Sequence, residues 1–286
     1  MTAKPATIGL VPHRDRPEAR VLAERVVMWF EQRGVGVRIP ESDAVGLERV
    51  AVPVEKFAAG LDVAVSLGGD GTMLRTVDLV YDAGVPVLGV NVGQLGYLAE
   101  VEPVDLDPAL ERLLAGDYDV ADRMMLQVKI DSDGPAGGRW WALNEAVLEK
   151  PHPGRLARLD ISINGSFFTS YAADGVIVAT PTGSTAYSFS ARGPIVSPRL
   201  RCILLTPVSP HMLFDRSLVL DADEELALTV SGDRPVLLTI DGRERGVLEP
   251  RDVVRCTGGP GPARVVTLGP RDFHQILKAK FGLPDR

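Results

Sequence analysis

The sequence predicts two domains of different class: an α/β domain with a parallel sheet at residues 1–121, and an all-β, sandwich-like domain at residues 122–269. Up to residue 121, short apolar runs alternate with helical patterns, the order that produces a parallel sheet with right-handed crossovers. Beyond that point, strand patterns separated by turn signals dominate. A final helix, within residues 270–286, is expected to pack back on the first domain.

The α/β pattern begins with a short apolar run followed by an amphipathic segment. Pro17 suits the first turn of a helix, and Gly34 supplies its end. The run at residues 61–67 is interrupted only by Asp62 and Ser66, which is typical of a strand covered on both faces. We expect strands at residues 7–11, 35–39, 61–67 and 85–90, and helices at residues 17–33, 72–83 and 106–115.

The second domain is predicted from short strands and tight turns. Asn164-Gly165 is the strongest hairpin signal, because both residues of such a turn need a positive φ. Asp241-Gly242 marks a second turn of this kind, and a closing helix at residues 272–281 has Asp272 as its N-cap. The expected strands are residues 125–130, 139–148, 159–163, 166–171, 176–179, 202–205, 225–230, 236–240, 252–256 and 265–268.

Charge and cysteine content exclude several classes of protein. Lys and Arg number 31 against 38 Asp and Glu, a net charge of −7, whereas a protein that binds a phosphate backbone relies on basic patches. We therefore expect no nucleic-acid partner. No secretory signal and no apolar run of spanning length is found, and Cys202 and Cys256 suit neither a disulfide framework nor a metal site. These features predict a cytoplasmic protein without a membrane partner.

The residues Gly68-Gly69-Asp70-Gly71-Thr72, called the glycine turn below, stand where a buried strand meets a helix. Glycines at such a junction let backbone amides approach a polyphosphate, and the helix N-terminus carries partial positive charge. Asp70 can accept the proton of a hydroxyl nucleophile or hold Mg²⁺ beside a phosphate. The alternative is an ordinary tight turn with Asp70 as a local cap. The segment is neither a Walker A loop nor a dinucleotide fingerprint.

Further polar motifs occur within or at the ends of predicted strands. Asn91 follows the next strand and can bind a sugar hydroxyl or a phosphate. Asn144-Glu145 interrupts an apolar strand, and because a buried carboxylate is costly unless paired, this favours a ligand-facing role. Asp174 leads into another strand, which ends in the hydroxyl-rich segment at residues 180–188. Helix capping alone is the alternative role for those hydroxyls.

Taken in order, Gly-Gly-Asp-Gly-Thr, Asn-Glu, Asp-Gly and Thr-Pro-Thr-Gly-Ser-Thr-Ala-Tyr resemble the motifs of the NAD kinase family. Thr-Pro-Val-Ser-Pro-His at residues 206–211 resembles a downstream motif of that family, and the similarity covers nearly the whole chain. The resemblance implies a phosphotransferase with an alcohol group as acceptor. It would transfer the γ-phosphoryl group of ATP or polyphosphate to the 2′-hydroxyl of the adenosine ribose of NAD, giving NADP.

The resemblance also implies roles for individual residues, with Asp70 as the catalytic base. The phosphate- or ATP-binding residues would be Gly68, Gly69, Gly71, Thr72 and Asn91. The NAD-binding residues would be Asp70, Gly71, Asn144, Glu145, Asp174, Thr185, Ala186, Tyr187 and Ser190. Mg²⁺ or another divalent metal would be held mainly by substrate phosphates, and the chain would form a homodimer or homotetramer.

Several alternatives stay open at this point. Candidates to contact the transferred phosphate are Arg75, Arg123, Arg155 and Arg158, each with a surface or structural role as the alternative. A diacylglycerol-type lipid kinase shares the glycine turn, but the sequence has no basic amphipathic helix suited to a membrane. A sugar kinase of the phosphofructokinase type has an α/β second half. A non-catalytic NAD(P)-sensing module is the non-enzyme alternative, in which Asp70 has no use as a base.

Overall fold

The computed structural model describes residues 5–93, 96–132, 134, 137–269 and 272–284. The chain divides into two compact units, Met1–Asp122 with Ala263–Arg286, and Arg123–Pro262. The first is an α/β unit and the second consists mostly of strands, so the predicted fold class is confirmed. Among the described residues, no helix combines the length and the hydropathy needed to span a bilayer.

The first unit is a parallel sheet flanked by helices. Its strands are β1 (Thr7–Pro12), β2 (Gly36–Pro40), β3 (Ala51–Val52), β4 (Val63–Gly68) and β5 (Val87–Asn91). Its helices are α1 (Pro17–Glu31), α2 (Val54–Phe57), α3 (Asp70–Val80) and α4 (Leu106–Ala115), with short 3-10 turns at Glu41–Asp43, Glu48–Val50, Tyr81–Ala83 and Pro103–Asp105. Every residue of β4 is buried, as the apolar run at residues 61–67 predicts for a central strand.

The strand order of this sheet reverses between β1 and β4. The neighbours run β5–β4–β1–β2–β3, and each pair is parallel. From β1 the chain therefore moves outward through β2 and β3, then returns to the other side of β1 to form β4 and β5. In open parallel sheets, ligands bind beyond the carboxyl ends of the strands at such a reversal. The glycine turn follows β4 at that end.

The second unit is a sandwich of two sheets. Its strands are β6 (Asp119–Asp131), β7 (Gly138–Ala142), β8 (Glu145–Glu149), β9 (Ala157–Ile163), β10 (Ser166–Ala173), β11 (Gly175–Ala179), β12 (Cys202–Val208), β13 (Leu218–Asp221), β14 (Leu226–Val230), β15 (Val236–Ile240), β16 (Arg243–Leu248) and β17 (Val253–Thr267), of which β6 and β17 begin or end in the first unit. A short helix, α5 (Tyr187–Ser190), follows β11, and α6 (Phe273–Phe281) belongs to the first unit.

The core of the second unit lies between its sheets. One sheet contains β10–β9–β14–β17 with β6 and β7, and the other runs β13–β12–β11–β8–β15–β16. Both contribute fully buried side chains to one hydrophobic cluster, which includes Leu126, Leu159, Leu228, Val254, Leu148, Val178, Ile203 and Leu238. The predicted hairpin at Asn164-Gly165 joins β9 to β10, with φ values of 52° and 77°. This is the expected conformation for a two-residue turn.

Two strand predictions are wrong. Residues 139–148 were expected to form one strand, but β7 and β8 belong to different sheets, because the carboxylate of Asp241 captures the amides at the break. Residues 252–256 and 265–268 were expected to form two separate strands, yet one strand, β17, runs from Val253 to Thr267. Proline has φ fixed at about −65° and tolerates strand positions where no donor is needed. Sequence patterns also did not indicate β3, β13, β16 and α2.

The closing helix α6 has its predicted N-cap, since the Asp272 side chain accepts the His274 backbone N–H at 2.8 Å. The chain before it is anchored at Leu268, whose N–H donates to Glu100 at 2.6 Å and whose carbonyl accepts from Arg112. From α6, the Lys280 ammonium lies 4.4 Å above the ring of Tyr97. These contacts lie within the first unit, so the predicted return of the helix to the α/β domain is confirmed.

Gly89 in β5 is expected to be intolerant of any side chain. A Cβ there would lie 2.8 Å from Ala99 Cα and 3.3 Å from the Leu98 carbonyl oxygen, both backbone atoms that cannot rotate away. We expect Gly89→Ala to destabilise the fold by about 1–3 kcal/mol, as overpacking does, and to lower the thermal unfolding midpoint by several degrees.

Gly36→Ala is the matched control, because Gly36 is also a strand glycine and its added Cβ would meet nothing closer than 3.5 Å. Its midpoint should stay the same or rise slightly, since alanine costs less backbone entropy than glycine. Equal midpoints for the two variants in differential scanning calorimetry would contradict the packing argument.

Candidate functional site

The glycine turn is held by close packing on the helix that it opens. Strand β4 ends at Gly68, Gly69 is the N-cap, and α3 begins at Asp70, two residues earlier than predicted. A Cβ on Gly68 would lie 2.6 Å from the Cβ of Thr72, so only glycine fits there. At Gly71 an added Cβ would meet only open space. The first turn of α3 is thus packed on one side and open on the other.

The carboxylate of Asp70 is oriented by the loop after β5. Its Oδ2 accepts the backbone N–H of Tyr97 at 2.8 Å, and its Oδ1 accepts that of Leu98 at 3.0 Å. The loop comes this close because residue 96 is glycine: a Cβ there would lie 2.8 Å from Asp70 Cγ. An ionised carboxylate has about four lone-pair positions, so each oxygen can accept a further hydrogen bond. The local-cap role and a role toward a ligand are therefore compatible.

A cavity of about 380 Å³ opens beside Asp70, at the carboxyl ends of β1 and β4. This is the reversal point of the strand order, where a ligand is expected. Arg16 is the N-cap of α1 and Gly69 is the N-cap of α3, so both helices present their positive ends here. The lining residues are Pro12, His13, Arg14, Asp15, Arg16, Gly69, Asp70, Gly71, Thr72 and Arg75.

Three arginines line this cavity: Arg14, Arg16 and Arg75. The guanidinium of Arg16 donates to the carbonyl of Val92, while Arg14 and Arg75 both pair with Asp43. Sequence reasoning named Arg75 but missed Arg14 and Arg16. Arg14 and Arg16 could have been found from their position directly after the first strand. Because β1 and β4 are neighbours in the sheet, the loop after β1 lies next to the glycine turn.

Asn91 lies at the end of β5, directly across from Gly68 in the strand register, and is buried. Its Nδ2 donates to Glu102 Oε1 at 3.0 Å and to the Gly93 carbonyl at 3.3 Å. Its Oδ1 is buried and has no hydrogen-bond partner among the residues described. The amide thus ties the loop after β5 to the start of the next helical turn, close to the glycine turn.

In the second unit, two of the predicted motifs are bonded to each other. The Thr180 backbone N–H donates to the Asn144 carbonyl at 2.8 Å, and the Thr180 hydroxyl donates to the Leu143 carbonyl at 2.5 Å. Gly183 packs directly on Asn144, because a Cβ on Gly183 would lie 2.6 Å from the Asn144 carbonyl carbon. The Asn144-Glu145 pair and the hydroxyl-rich segment therefore form one cluster.

Asp241 organises this cluster and was not predicted to be part of it. Its carboxylate accepts the backbone N–H groups of Leu143 at 2.8 Å, Asn144 at 2.8 Å and Glu145 at 3.1 Å. Asp241 itself has a φ of 49° in the turn between β15 and β16. The Asp-Gly turn signal was correct, but nothing in the sequence indicated which amides the aspartate would bind.

Glu145 has the most altered ionisation of the predicted residues. Burial raises the pKa of its carboxyl to about 8, the Asp241 carboxylate adds to the rise, and a hydrogen bond from the Tyr187 backbone amide opposes it. Its Oε2 is buried without a hydrogen-bond partner among the described residues. Glu145 is thus mainly protonated at neutral pH, and can donate as well as accept a hydrogen bond.

Tyr187 lies close to Glu145, whereas Asp174 precedes the other end of β11, where Gly175 pairs with Glu149. Asp174 forms an ion pair with Lys150, which sequence reasoning missed. The pKa of the Tyr187 hydroxyl is raised by burial and by the nearby carboxylates of Glu149, Asp174 and Glu145. Tyr187 is 38% exposed, so part of this residue is open to solvent. The partly buried Thr185 and Ala186 and the exposed Ser190 flank it in a 3-10 turn and α5.

The other predicted arginines are not among the residues that line the first-unit cavity. Arg155 and Arg158 line a surface pocket of the second unit together with Arg234, whereas Arg123 lies in β6.

In the part of the chain that the structure describes, no group of three or more His, Cys, Asp or Glu side chains has the arrangement of a metal site. Asp15 and Asp70 are the carboxylates that line the first-unit cavity.

Comparison with known families matches both halves of the chain. The ATP-NAD kinase N-terminal domain matches residues 8–118, and the ATP-NAD kinase C-terminal domain matches residues 143–268. The NAD kinase of Heliobacterium modesticaldum is 42% identical over 277 residues, covering 96% of this chain and 98% of the relative. The NAD kinase of Symbiobacterium thermophilum is 42% identical over 276 residues, with the same two coverages.

Solved structures agree with these relatives. The crystal structure of yeast NADH kinase complexed with NADH superposes with a TM-score of 0.89 at 25% identity, covering 99% of this chain and 89% of that one. The resemblance inferred from the motifs is therefore confirmed, and the lipid-kinase, sugar-kinase and sensing-module alternatives are not supported. With both domain families matched in order and close relatives over nearly its full length, the chain belongs to the NAD kinase family.

Proposed function

We propose that Asp70 is the base with which this chain transfers the γ-phosphoryl group of ATP or polyphosphate to the 2′-hydroxyl of the adenosine ribose of NAD, giving NADP. Membership of the NAD kinase family makes the chain a phosphotransferase with an alcohol group as acceptor. The observation that carries the residue assignment is the Asp70 carboxylate, held by two backbone amides at the rim of a cavity lined by three arginines.

The first-unit cavity suits the phosphates of the donor. Two helix N-termini and the guanidiniums of Arg14, Arg16 and Arg75 provide positive charge, and the glycine turn exposes backbone at Gly71. Phosphoryl transfer requires mainly positioning and charge neutralisation from the protein. The proposed phosphate-binding residues are Gly68, Gly69, Gly71 and Thr72, with Asn91 supporting the loop behind them.

A proton must leave the attacking hydroxyl during this transfer, and Asp70 is proposed to accept it. The backbone amides of Tyr97 and Leu98 fix the carboxylate plane, and the remaining lone pairs can accept the 2′-hydroxyl. A base held in place in this way needs no reorientation as the proton moves, which is the usual contribution of a positioned general base. Gly71, next in the chain, leaves room for the ribose because it has no side chain.

A divalent metal fits the donor set of the cavity. Mg²⁺ takes oxygen ligands and commonly binds through one or two carboxylates together with substrate phosphates. Asp15 also lines the cavity and is the residue proposed to help hold the metal, since Asp70 is assigned to the 2′-hydroxyl. When bound, Mg²⁺ neutralises charge on the phosphates of the donor. The chain's own contribution remains the arginines, the glycine turn and the base.

The cluster of the second unit is proposed to hold NAD. Asn144, Glu145 and Asp174 combine donors and acceptors suited to ribose hydroxyls and to the nicotinamide amide. The ring of the partly exposed Tyr187 offers a stacking face, with Thr185, Ala186 and Ser190 around it. The Asn144 and Glu145 backbone amides already donate hydrogen bonds to Asp241. Because this segment is held in place before NAD arrives, binding costs it little conformational entropy.

Assembly and location remain predictions. Exposed aromatic side chains on the edge strand β10, Phe167 at 66% and Phe168 at 42%, support the expected homodimer or homotetramer, since solvent-facing apolar groups on a strand edge favour pairing. Cys202 and Cys256 are both buried free thiols. This supports the proposed cytoplasmic location, where thiols stay reduced.

Replacement of Asp70 tests the base. We expect Asp70→Asn to lower kcat for NADP formation by at least about 100-fold, the usual range for loss of a general base. NAD binding, measured by calorimetry without a donor, should change far less, because the proposed NAD contacts lie mainly in the second unit.

Asp82→Asn is the matched control: it removes the same charge from an exposed position just after α3. Its kcat should equal that of the wild type. Full turnover by Asp70→Asn would refute the base assignment and leave the family membership intact. A wild-type protein that forms no NADP from NAD, ATP and Mg²⁺ would refute the proposed function itself.

The raised pKa of Glu145 predicts a pH-dependent affinity for NAD. With a pKa of about 8, the carboxyl is neutral at pH 7 and ionised at pH 9. If the neutral form donates a hydrogen bond to NAD, the Kd should rise about tenfold between these pH values, as expected when one group titrates across its pKa.

Glu145→Gln keeps a neutral side chain of the same shape at every pH. Its Kd for NAD should therefore stay nearly constant from pH 7 to pH 9 and match the wild-type value at pH 7. Titration calorimetry of both proteins makes the comparison. A wild-type affinity that improves with rising pH would show that the ionised carboxylate is the binding form, contrary to this prediction.

A further inference from the structure

We infer that Asp43 is a positioning residue for the phosphoryl donor: it holds Arg14 and Arg75 side by side so that both guanidiniums face the donor phosphates. The inference rests on the proposed function and extends it to a residue outside every motif of the sequence. Asp43 is not among the residues that line the cavity. It acts through the two arginines that do.

Asp43 is placed by the topology of the sheet. It ends the 3-10 turn Glu41–Asp43 that follows β2, while Arg14 follows β1 and Arg75 lies in the helix that follows β4. Strands β2, β1 and β4 are consecutive neighbours in the sheet. The carboxyl ends of three adjacent parallel strands thus bring these three side chains to one place, although Arg14 and Arg75 are 61 positions apart in the sequence.

Each oxygen of the Asp43 carboxylate accepts a hydrogen bond from a different arginine. Oδ1 of Asp43 accepts from Arg14 Nε at 2.7 Å, and Oδ2 accepts from Arg75 Nη2. The Ser42 hydroxyl accepts from Arg14 Nη2 at 2.9 Å and from Arg75 Nη2 at 3.4 Å, and it donates to Asp43 Oδ1 at 3.3 Å. Each guanidinium is therefore fixed at one edge by a charged acceptor and shares the same hydroxyl.

The exposure of these three side chains shows which charge faces the cavity. The Asp43 side chain is 0% exposed and that of Arg75 is 14% exposed, whereas Arg14 is 53% exposed. The negative charge is thus kept beneath the surface, and positive charge is presented outward into the cavity beside Thr72 and Gly71. Two guanidiniums so close would repel each other without a shared counter-ion. A carboxylate that is itself hidden from the ligand supplies that counter-ion without repelling a phosphate directly.

An arginine has a planar fork of five N–H donors, so it can bind a carboxylate with one edge and a phosphate with another. Because Asp43 already fixes one edge of each guanidinium, the arginines lose less side-chain entropy when the donor binds. The effect should therefore appear in donor affinity. The NAD cluster of the second unit contains neither Asp43 nor its partners.

The test measures binding of tripolyphosphate, a donor fragment that carries no base or ribose. In calorimetry at fixed Mg²⁺, we expect Asp43→Asn to weaken tripolyphosphate binding about tenfold, the loss that accompanies a charge-assisted contact of about 1.4 kcal/mol. In steady-state assays the KM for ATP should rise by a similar factor, with a smaller change in kcat, and the Kd for NAD should stay within twofold of the wild type.

A mutant cycle tests whether Asp43 acts through the arginines. In an Arg14→Gln, Arg75→Gln background, Asp43→Asn should change tripolyphosphate affinity less than twofold, because the groups that it positions are gone. Asp117→Asn is the control, since Asp117 binds Arg112 Nε at the same 2.7 Å in the same unit but away from this cavity. Its affinity for tripolyphosphate should equal that of the wild type.

A merely structural role predicts a different result. In that case Asp43→Asn lowers the unfolding midpoint but leaves tripolyphosphate affinity and the KM for ATP unchanged, which would overturn the inference. If Asp43→Asn does not fold, Arg14→Lys replaces it, because lysine keeps the charge but lacks the fork that joins Asp43 to a phosphate. Wild-type affinity in Arg14→Lys would also overturn the inference. Absence of NADP formation by the wild type would instead count against the proposed function.

Discussion

The reversal of strand order between β1 and β4 is the constraint on which the first unit depends. The two strands are parallel neighbours, and the chain leaves them in opposite directions along the sheet. Right-handed crossovers in opposite directions put the following helices on opposite faces. Neither helix then covers the carboxyl ends of β1 and β4. The cavity, the glycine turn and the arginines all lie at that uncovered edge.

Aspartates organise both units by accepting hydrogen bonds from elsewhere in the chain. Asp70 binds the backbone of the loop after β5, Asp43 binds two arginines, and Asp241 binds three successive amides at the start of β8. Each joins segments far apart in sequence. A carboxylate suits this task because it accepts several bonds at once, and charged acceptors form stronger bonds than neutral ones.

The sequence predicted what local chemistry determines. Apolar runs located the buried strands of the first unit, and Asn164-Gly165 located the β9–β10 hairpin of the second unit, since φ preferences act within a few residues. Motif order identified the family. The sequence did not predict the break at Leu143 or the placement of Arg14, because both depend on partners distant in sequence. The glycine- and proline-rich part of β17 misled for a similar reason: the strand pairs with β14 just before it, at residues 253–256, and with β5 just after it, at Val265, and these distant partners are not visible in its composition.

The Asp241 contacts also bear on how the protein is made. Asn144 lies 97 residues before the side chain that fixes its amide. During synthesis, the Asn144-Glu145 segment therefore cannot take its final geometry until the chain beyond β15 has left the ribosome. The sheet of the first unit also has to wait for a late segment of the chain, since Val87 pairs with Val265 near the C-terminus. Nascent chains that stop short of these residues are left with open strand edges, the state in which a ribosome-associated chaperone finds most to bind.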